Sequence, residues 1–220
     1  FVVRLQGRRS VAGFHERASQ HIVDVEECFV VTPRLVALLP LLRAVLAGIL
    51  PEGGSADAIV NDTDAGLDVL VRPHKRFALS LDANQRLVAF AETADLARLS
   101  WGDRATAEPL VTRRHPRLAF GDVALEPPPG AFLQATRRAE RAMREAVASW
   151  LGEAKRVADL FAGMGTLTVG RPWRATLYES DKPSMAAVEA AGRRLGSGKL
   201  TAAHRDLFRN PLMAAELDVF

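Results

Sequence analysis

The sequence predicts two successive units, an α+β unit built on an antiparallel sheet and then the first half of a doubly wound parallel sheet. Three observations carry this. Strand-like apolar runs crowd the first hundred or so residues, the stretch PPPG at 127–130 punctuates the chain, and strand and helix patterns alternate after it. Such alternation requires right-handed crossovers between parallel strands. A chain of 220 residues also exceeds the usual size of one domain. The boundary is predicted at 126/127, giving units 1–126 and 127–220.

In chain order, FVVRLQ (1–6), AGFHER (12–17), HIVDVEE (21–27), DAIVND (57–62), GLDVLVR (66–72), RLSWG (98–102) and LAFGDVALE (118–126) read as strands, being rich in β-branched or alternating apolar residues. Helices are predicted over 33–50 and 82–96. The run VALLPLLRAVLAGIL (36–50) carries Pro40 and Arg43, so it reads as a core helix in two pieces, too short to span a bilayer. After PPPG, a helix from Thr136 places Ala139, Ala142, Met143, Val147, Trp150 and Leu151 at three-to-four spacing and closes near Gly152. A strand over 156–161, a short helix from Leu167, a strand over 174–179, a helix over 183–195 and a strand over 199–204 follow. Asp181, just before Pro183, is the predicted cap of the helix over 183–195.

Composition narrows the function only a little. Twenty-nine basic residues against 26 acidic ones leave a formal charge of +3, which does not by itself nominate a nucleic acid. The exception is the start of the chain, where Arg4, Arg8, Arg9 and Arg17 face Glu16 alone. A hairpin there would gather guanidiniums for phosphate contact; the alternative is a solvated face paired with Glu16, Asp24, Glu26 or Glu27. One cysteine, Cys28, excludes an internal disulfide and fits a cytoplasmic protein. No export signal or membrane span is visible. The five histidines form no triad or metal spacing. Phe1 in place of methionine and the apolar run LDVF at 217–220 make both ends read as cuts through a longer protein.

The chemistry concentrates in VADLFAGMGTLTVG (157–170). Gly163 and Gly165 form a G-x-G turn directly after a strand, baring amide N–H groups to an anionic ligand. Thr168 stands where a dinucleotide fingerprint has its third glycine, so a pyrophosphate is not required. S-adenosylmethionine (SAM) has a carboxylate and an ammonium to present to such a turn. Glu179, fourteen residues after Gly165, ends the next strand, where a carboxylate can accept from both ribose hydroxyls; an exposed strand-end carboxylate is the plainer alternative. Asp206 follows the third strand, able to meet an adenine amino group or simply to cap a turn before Pro211.

These residues carry a resemblance. GAFLQAT, RVADLFAGMGTLT, TLYESD and AAHRDLF, in this order and preceded by GRRSVAGFHERASQHIVDVEECFVVTPRLVALLP, resemble the RNA 5-methyluridine methyltransferase family, whose members methylate uracil C5 in ribosomal or transfer RNA. The likeness covers nearly the whole chain. It implies a Rossmann-like SAM-binding domain behind an α+β central domain, an RNA partner, and action as a monomer without a membrane. It places Gln134 at the methionine end of SAM, Phe161 and the glycines Gly163 and Gly165 around the cofactor, Thr166 beside the turn, Glu179 on the ribose and Asp206 near the adenine. Two features depart from the pattern: Thr136 stands where asparagine is frequent, and the interval from Gly165 to Glu179 is short for a full helix and turn, as though residues were missing near 170–171.

In many members a cysteine at the position of Cys28 is the fourth ligand of a [4Fe–4S] cluster. The other three ligands are absent from this sequence, and one thiolate cannot hold a cluster that needs four. The resemblance also implies a thiolate adding to uracil C6 so that C5 can attack the methyl group, with a carboxylate base removing the C5 proton. The nucleophilic cysteine, the base and a D-P-P-R loop belong beyond residue 220 in that pattern, so the fragment itself is expected to be inactive. A noncatalytic RNA-binding protein with the same fold is the alternative, and a nicotinamide-dependent oxidoreductase a weaker one.

Overall fold

The computed structural model describes residues 1–7, 9–103, 106–196 and 198–217, which divide into two compact units, Phe1–Pro116 and Arg117–Phe220. The first contains β1 (Val2–Gln6), β2 (Arg9–His15), β3 (Ile22–Asp24), α1 (Pro33–Ala47), β4 (Ser55–Thr63), β5 (Gly66–Pro73), α2 (Leu81–Thr93), β6 (Arg98–Trp101) and β7 (Glu108–Thr112). They form one sheet in the order β3-β2-β1-β4-β5-β6-β7. Neighbours are antiparallel except β5 and β6, which α2 joins as a crossover and which therefore run parallel. The sheet is mixed rather than purely antiparallel.

Helix α1 is one continuous element, not two. Leu35, Leu38, Leu39, Leu42 and Leu46 form its buried stripe and pack with Val3, Ala12, Ala56, Ala58, Val69 and Val71 from alternating sheet positions. Pro40 lies on the exposed side, so the backbone hydrogen bond it removes is lost next to water while the leucine stripe stays intact. Ser80 caps α2, its hydroxyl accepting from the Ala83 amide at 3.1 Å. Strand β7 was not legible from pattern because EPLVT is short and contains Pro109. It is a sheet edge, where proline is tolerated, and the ladder shifts register between Leu99 and Ser100. Across the parallel seam, buried Arg98 donates to both carboxylate oxygens of buried Asp68 at 2.8 Å.

The second unit comprises the hairpin β8 (Leu118–Phe120) and β9 (Val123–Leu125), α3 (Arg137–Leu151), β10 (Arg156–Leu160), β11 (Arg174–Glu179), α4 (Lys182–Leu195), β12 (Leu200–His204) and α5 (Ala214–Leu217). LAFGDVALE, read as a single strand, folds back at Gly121, whose φ is 64°. Leu118, Phe120, Val123 and Leu125 pack with Met164, Val169, Leu177, Met185 and Val188. That shared core is why the division falls at 116/117 and not at 126/127. Strands β10, β11 and β12 are parallel and adjacent in that order, as the alternating pattern predicts. Asp181 caps α4 by accepting from the Ser184 amide at 3.0 Å, and Gly196 closes it with φ 62°. Helix α3 departs from expectation in packing: it has no buried residue, and Trp150 is 82 % exposed. No described helix is long and apolar enough to cross a membrane.

Candidate functional site

Three parallel strands bring their carboxyl ends to one edge, where open α/β sheets take ligands. After β10 the chain enters positive φ at Phe161 (57°), Gly163 (56°), Gly165 (71°) and Gly170 (71°). The helix predicted from Leu167 does not form. Only 161–173 separate β10 from β11, and positive-φ residues with Pro172 interrupt the helical conformation, so the segment runs as consecutive turns. A run of turns thus spans the short interval before Glu179.

The two turn glycines differ in what surrounds them. A Cβ on Gly165 would lie 2.4 Å from Leu177 Cδ2 and 2.6 Å from Val169 Cγ2, so the close packing of turn on strand excludes any side chain there. A Cβ on Gly163 would meet nothing within 4 Å. Gly163 thus faces open space, as a ligand-facing glycine should.

With no helix to receive them, the turn's carbonyls find another donor. Arg144 of α3 donates to the Thr166 carbonyl and, at 2.8 Å, to that of Val169, while its guanidinium lies 5.0 Å over the Phe120 ring. Burial, then the nearby Arg171 charge, lowers the Arg144 pKa from its ordinary value. Nothing in the periodicity of α3 signals this role.

Glu179 braces the turn as well as ending β11. Its Oε2 accepts from the Gly163 amide at 3.0 Å, and its Oε1 accepts from the Ser180 amide (2.7 Å), the Ser180 hydroxyl (3.1 Å) and the Asp181 amide (3.0 Å). Burial alone would raise its pKa; the donors from Gly163, Asp181 and Ser180 outweigh that and hold it below the ordinary value, so it is ionised at neutral pH. A carboxylate offers about four acceptor positions. Oε1 already accepts three donors and Oε2 one, so Oε2 is the oxygen with room to accept from a ligand hydroxyl.

Asp159, within the DLF motif, was missed as a site residue. It accepts from the buried Thr168 hydroxyl at 2.7 Å. Burial raises its pKa, the Thr168 donor opposes this, and the Glu179 charge adds to the rise. The signal was available: a carboxylate within an apolar run needs a partner once it is buried.

Asp206 adopts the capping role foreseen as its alternative, its Oδ1 accepting from the amides of Phe208 (3.0 Å) and Arg209 (3.3 Å). Arg205 organises the segment beyond it, donating to the carbonyls of Asn210 and Pro211 and to Glu216, whose carboxyl it holds down at about 2. The exposed rings of Phe161 and Phe208 lie 5.1 Å apart, joining the ends of β10 and β12 across that of β11. Gln134 is half-buried between β9 and α3. The edge therefore gathers Phe161, Gly163, Glu179, Asp206 and Phe208, with Gly165 and Thr166 beneath as packing and as Arg144's partner.

The first unit holds the other predicted groups. Arg9 pairs with Asp24 at 3.1 Å, as the paired alternative has it, Arg4 donates to the Gln20 carbonyl at 3.1 Å, and Arg8 lies outside the described residues. Cys28 packs half-exposed beside the core, its thiol pKa lowered by hydrogen bonds from the Val31 and Val30 amides. Among the described residues no three His, Cys, Asp or Glu side chains gather to hold a metal. The residues present do not fit a [4Fe–4S] cluster.

No protein-family profile matches the chain. It is 37% identical over its whole length to an uncharacterized RNA methyltransferase of Rhizobium meliloti, covering 52% of that protein. Against one from Mesorhizobium japonicum the identity is 38%, over 99% of the chain and 53% of the relative. A 23S rRNA (uracil(1939)-C(5))-methyltransferase, RlmD of Aeromonas salmonicida, is 30% identical over 86% of the chain and 44% of that protein. Among solved structures, the Pyrococcus abyssi tRNA (uracil-54, C5)-methyltransferase in complex with S-adenosyl-L-homocysteine shares the fold, with a TM-score of 0.62 at 14% identity, over 92% of this chain and 52% of that one. The chain is homologous to these RNA methyltransferases, as its motifs imply, and spans about half the length of the curated relatives it matches.

Proposed function

We propose that the second unit carries the SAM-binding edge of an RNA methyltransferase that acts on C5 of a uridine in ribosomal or transfer RNA, with the first unit available for RNA contact. The observation that carries this reading is the ionised carboxylate of Glu179 bonded to the amide of Gly163, a glycine whose side-chain direction is open. Uridine C5 is favoured by the names of the Aeromonas and Pyrococcus proteins. Bound SAM supplies an electrophilic methyl group. Glu179 Oε2 would accept a ribose hydroxyl, Gly163, Thr166 and Gln134 would serve the methionine end, and Phe161 and Phe208 would offer apolar faces to the adenine. Asp206 Oδ2 takes no amide of its own turn and can accept from the adenine amino group. The one cysteine of this sequence lies in the first unit, and residues 117–220 contain none to act as the thiolate that uracil-C5 chemistry requires.

Titration calorimetry of SAM against the intact protein tests the reading. Glu179→Ala is expected to weaken binding by about 1.5–3 kcal/mol, the range for a hydrogen bond to a charged group, and NADH is expected not to bind. Unchanged SAM affinity in the variant, or measurable NADH binding, overturns the site. SAM binding without any 5-methyluridine in RNA incubated with the intact protein, read by mass spectrometry of nucleosides, points instead to the noncatalytic RNA-binding alternative.

A further inference from the structure

Helix α3 places Arg137, Arg141 and Arg144 at i, i+4 and i+7, hence along one face. That face borders a cleft of about 310 Å³, walled elsewhere by Gly121 of the β8–β9 turn and by Arg171. Four guanidiniums therefore line one small space, opposed by the carboxylates of Glu140 and Glu145 alone. Their situations differ. Arg144 is committed to the carbonyls of Thr166 and Val169. Arg171 has a buried Nε with no hydrogen-bond partner, and Arg141 is exposed and, among the described residues, forms no ion pair.

A buried donor left unmade is costly, and in folded proteins such groups call for an explanation. Arg171, which bears that donor, lines a cleft whose side chains carry a net positive charge. The repulsion is felt by Arg144, where Arg171 contributes to the lowered pKa after burial. An anion in the cleft relieves that repulsion. Planar guanidinium forks match phosphate oxygens two hydrogen bonds at a time, which a lone ammonium cannot do.

We propose that this cleft seats one phosphodiester of the RNA, with Arg141 and Arg171 as its donors. The inference rests on the reading that RNA is the substrate, and it adds to the same unit a docking point lined by residues other than Gly163 and Glu179. It also couples the two places. Arg144, which holds the turn at 166–169, lies in the wall of the seat, so phosphate there stabilises the guanidinium that shapes the cofactor turn.

The test uses the full-length protein and a fluorescently labelled single-stranded RNA of about 20 nucleotides, with anisotropy measured over a series of KCl concentrations. R141Q/R171Q is expected to weaken RNA binding about tenfold and to flatten the dependence of log affinity on log salt by roughly 1.4, which is about 0.7 for each lost phosphate contact. R141Q alone, at an exposed position where folding is not at stake, is expected to flatten it by roughly 0.7. SAM affinity is expected to stay unchanged in both. Parent-like affinity and slope in both variants, with the parent binding RNA normally, overturn the seat and leave the RNA reading standing. A parent that binds no RNA overturns that reading and the seat with it. Variants that keep RNA but no longer bind poly-glutamate assign the cleft to an acidic polypeptide and likewise overturn the proposal.

Discussion

The carboxylates of Glu179 and Asp159 lie near enough to interact, yet their environments push them in opposite directions. Glu179 is lowered, so the stability it contributes is present above its ordinary value of 4.5 and is lost as pH falls through its folded value. Glu179→Gln is therefore expected to flatten the acid limb of a plot of melting temperature against pH, below about pH 4.5. Asp159 is raised above 3.8 by burial, so its ionised form is the one that costs stability. Asp159→Asn keeps an oxygen to accept from Thr168 and removes the charge. Its melting temperature relative to the parent is expected to climb as pH rises through the folded pKa and to match the parent well below pH 3.8. Circular dichroism melts from pH 3 to 8, in roughly one-unit steps, check both; a difference for Asp159→Asn that does not change with pH contradicts the assignment.

Among elements, the turn over 161–170 is the one whose form decides the site. Besides its own backbone hydrogen bonds it takes partners from three other elements: Arg144 from α3, Glu179 from β11 and Asp159 from β10. Gly163→Ala pays only for the left-handed conformation, about 1–2 kcal/mol. Gly165→Ala adds the collision with Leu177 and Val169, for about 2–5 kcal/mol in total. Urea unfolding of the pair gives this order, and equal losses contradict it. Arg144→Met leaves the carbonyls of Thr166 and Val169 unpaired while keeping the side-chain length that covers Phe120. It is expected to lower stability by about 1.5–3 kcal/mol and to weaken SAM binding although Arg144 lies beneath the turn and not on its open side, which calorimetry measures directly.

For the whole molecule, the two units make separate demands. In the first, Asp68 and Arg98 form a buried ion pair at the parallel seam. Removing one partner strands the other charge, so Asp68→Ala is expected to cost about 3–5 kcal/mol, read as a lower unfolding transition in scanning calorimetry. The second unit is expected to retain SAM binding in that variant if the units fold independently. The 220-residue chain incubated with labelled SAM and total RNA is expected to yield no 5-methyluridine, because its only cysteine, Cys28, sits beside the core of the first unit and the carboxyl edge of the parallel sheet offers no thiolate. A product from this chain means that a different nucleophile operates.

What was legible in the sequence is what short-range physics controls. Alternation marked most strands, leucine spacing marked α1, Asp181 before Pro183 marked the start of α4, and the glycines after β10 marked the turn, because each signal lies within a few residues of what it specifies. Tertiary structure decided the rest, through partners distant in sequence. The hairpin at 118–125 carries the same apolar pattern whichever core it joins, and only packing with Met164, Leu177 and Val188 assigns it to the second unit. Pro40 leaves α1 whole because it points to water, which depends on where the sheet lies. The residues after Gly165 run as turns, and it is Arg144, more than twenty residues upstream, that supplies donors to the carbonyls of Thr166 and Val169. Glu179 was identified from its place at a strand end, but that it spends three donors' worth of Oε1 on Ser180 and Asp181, and shares Oε2 with Gly163, follows from how three strand ends meet at one edge.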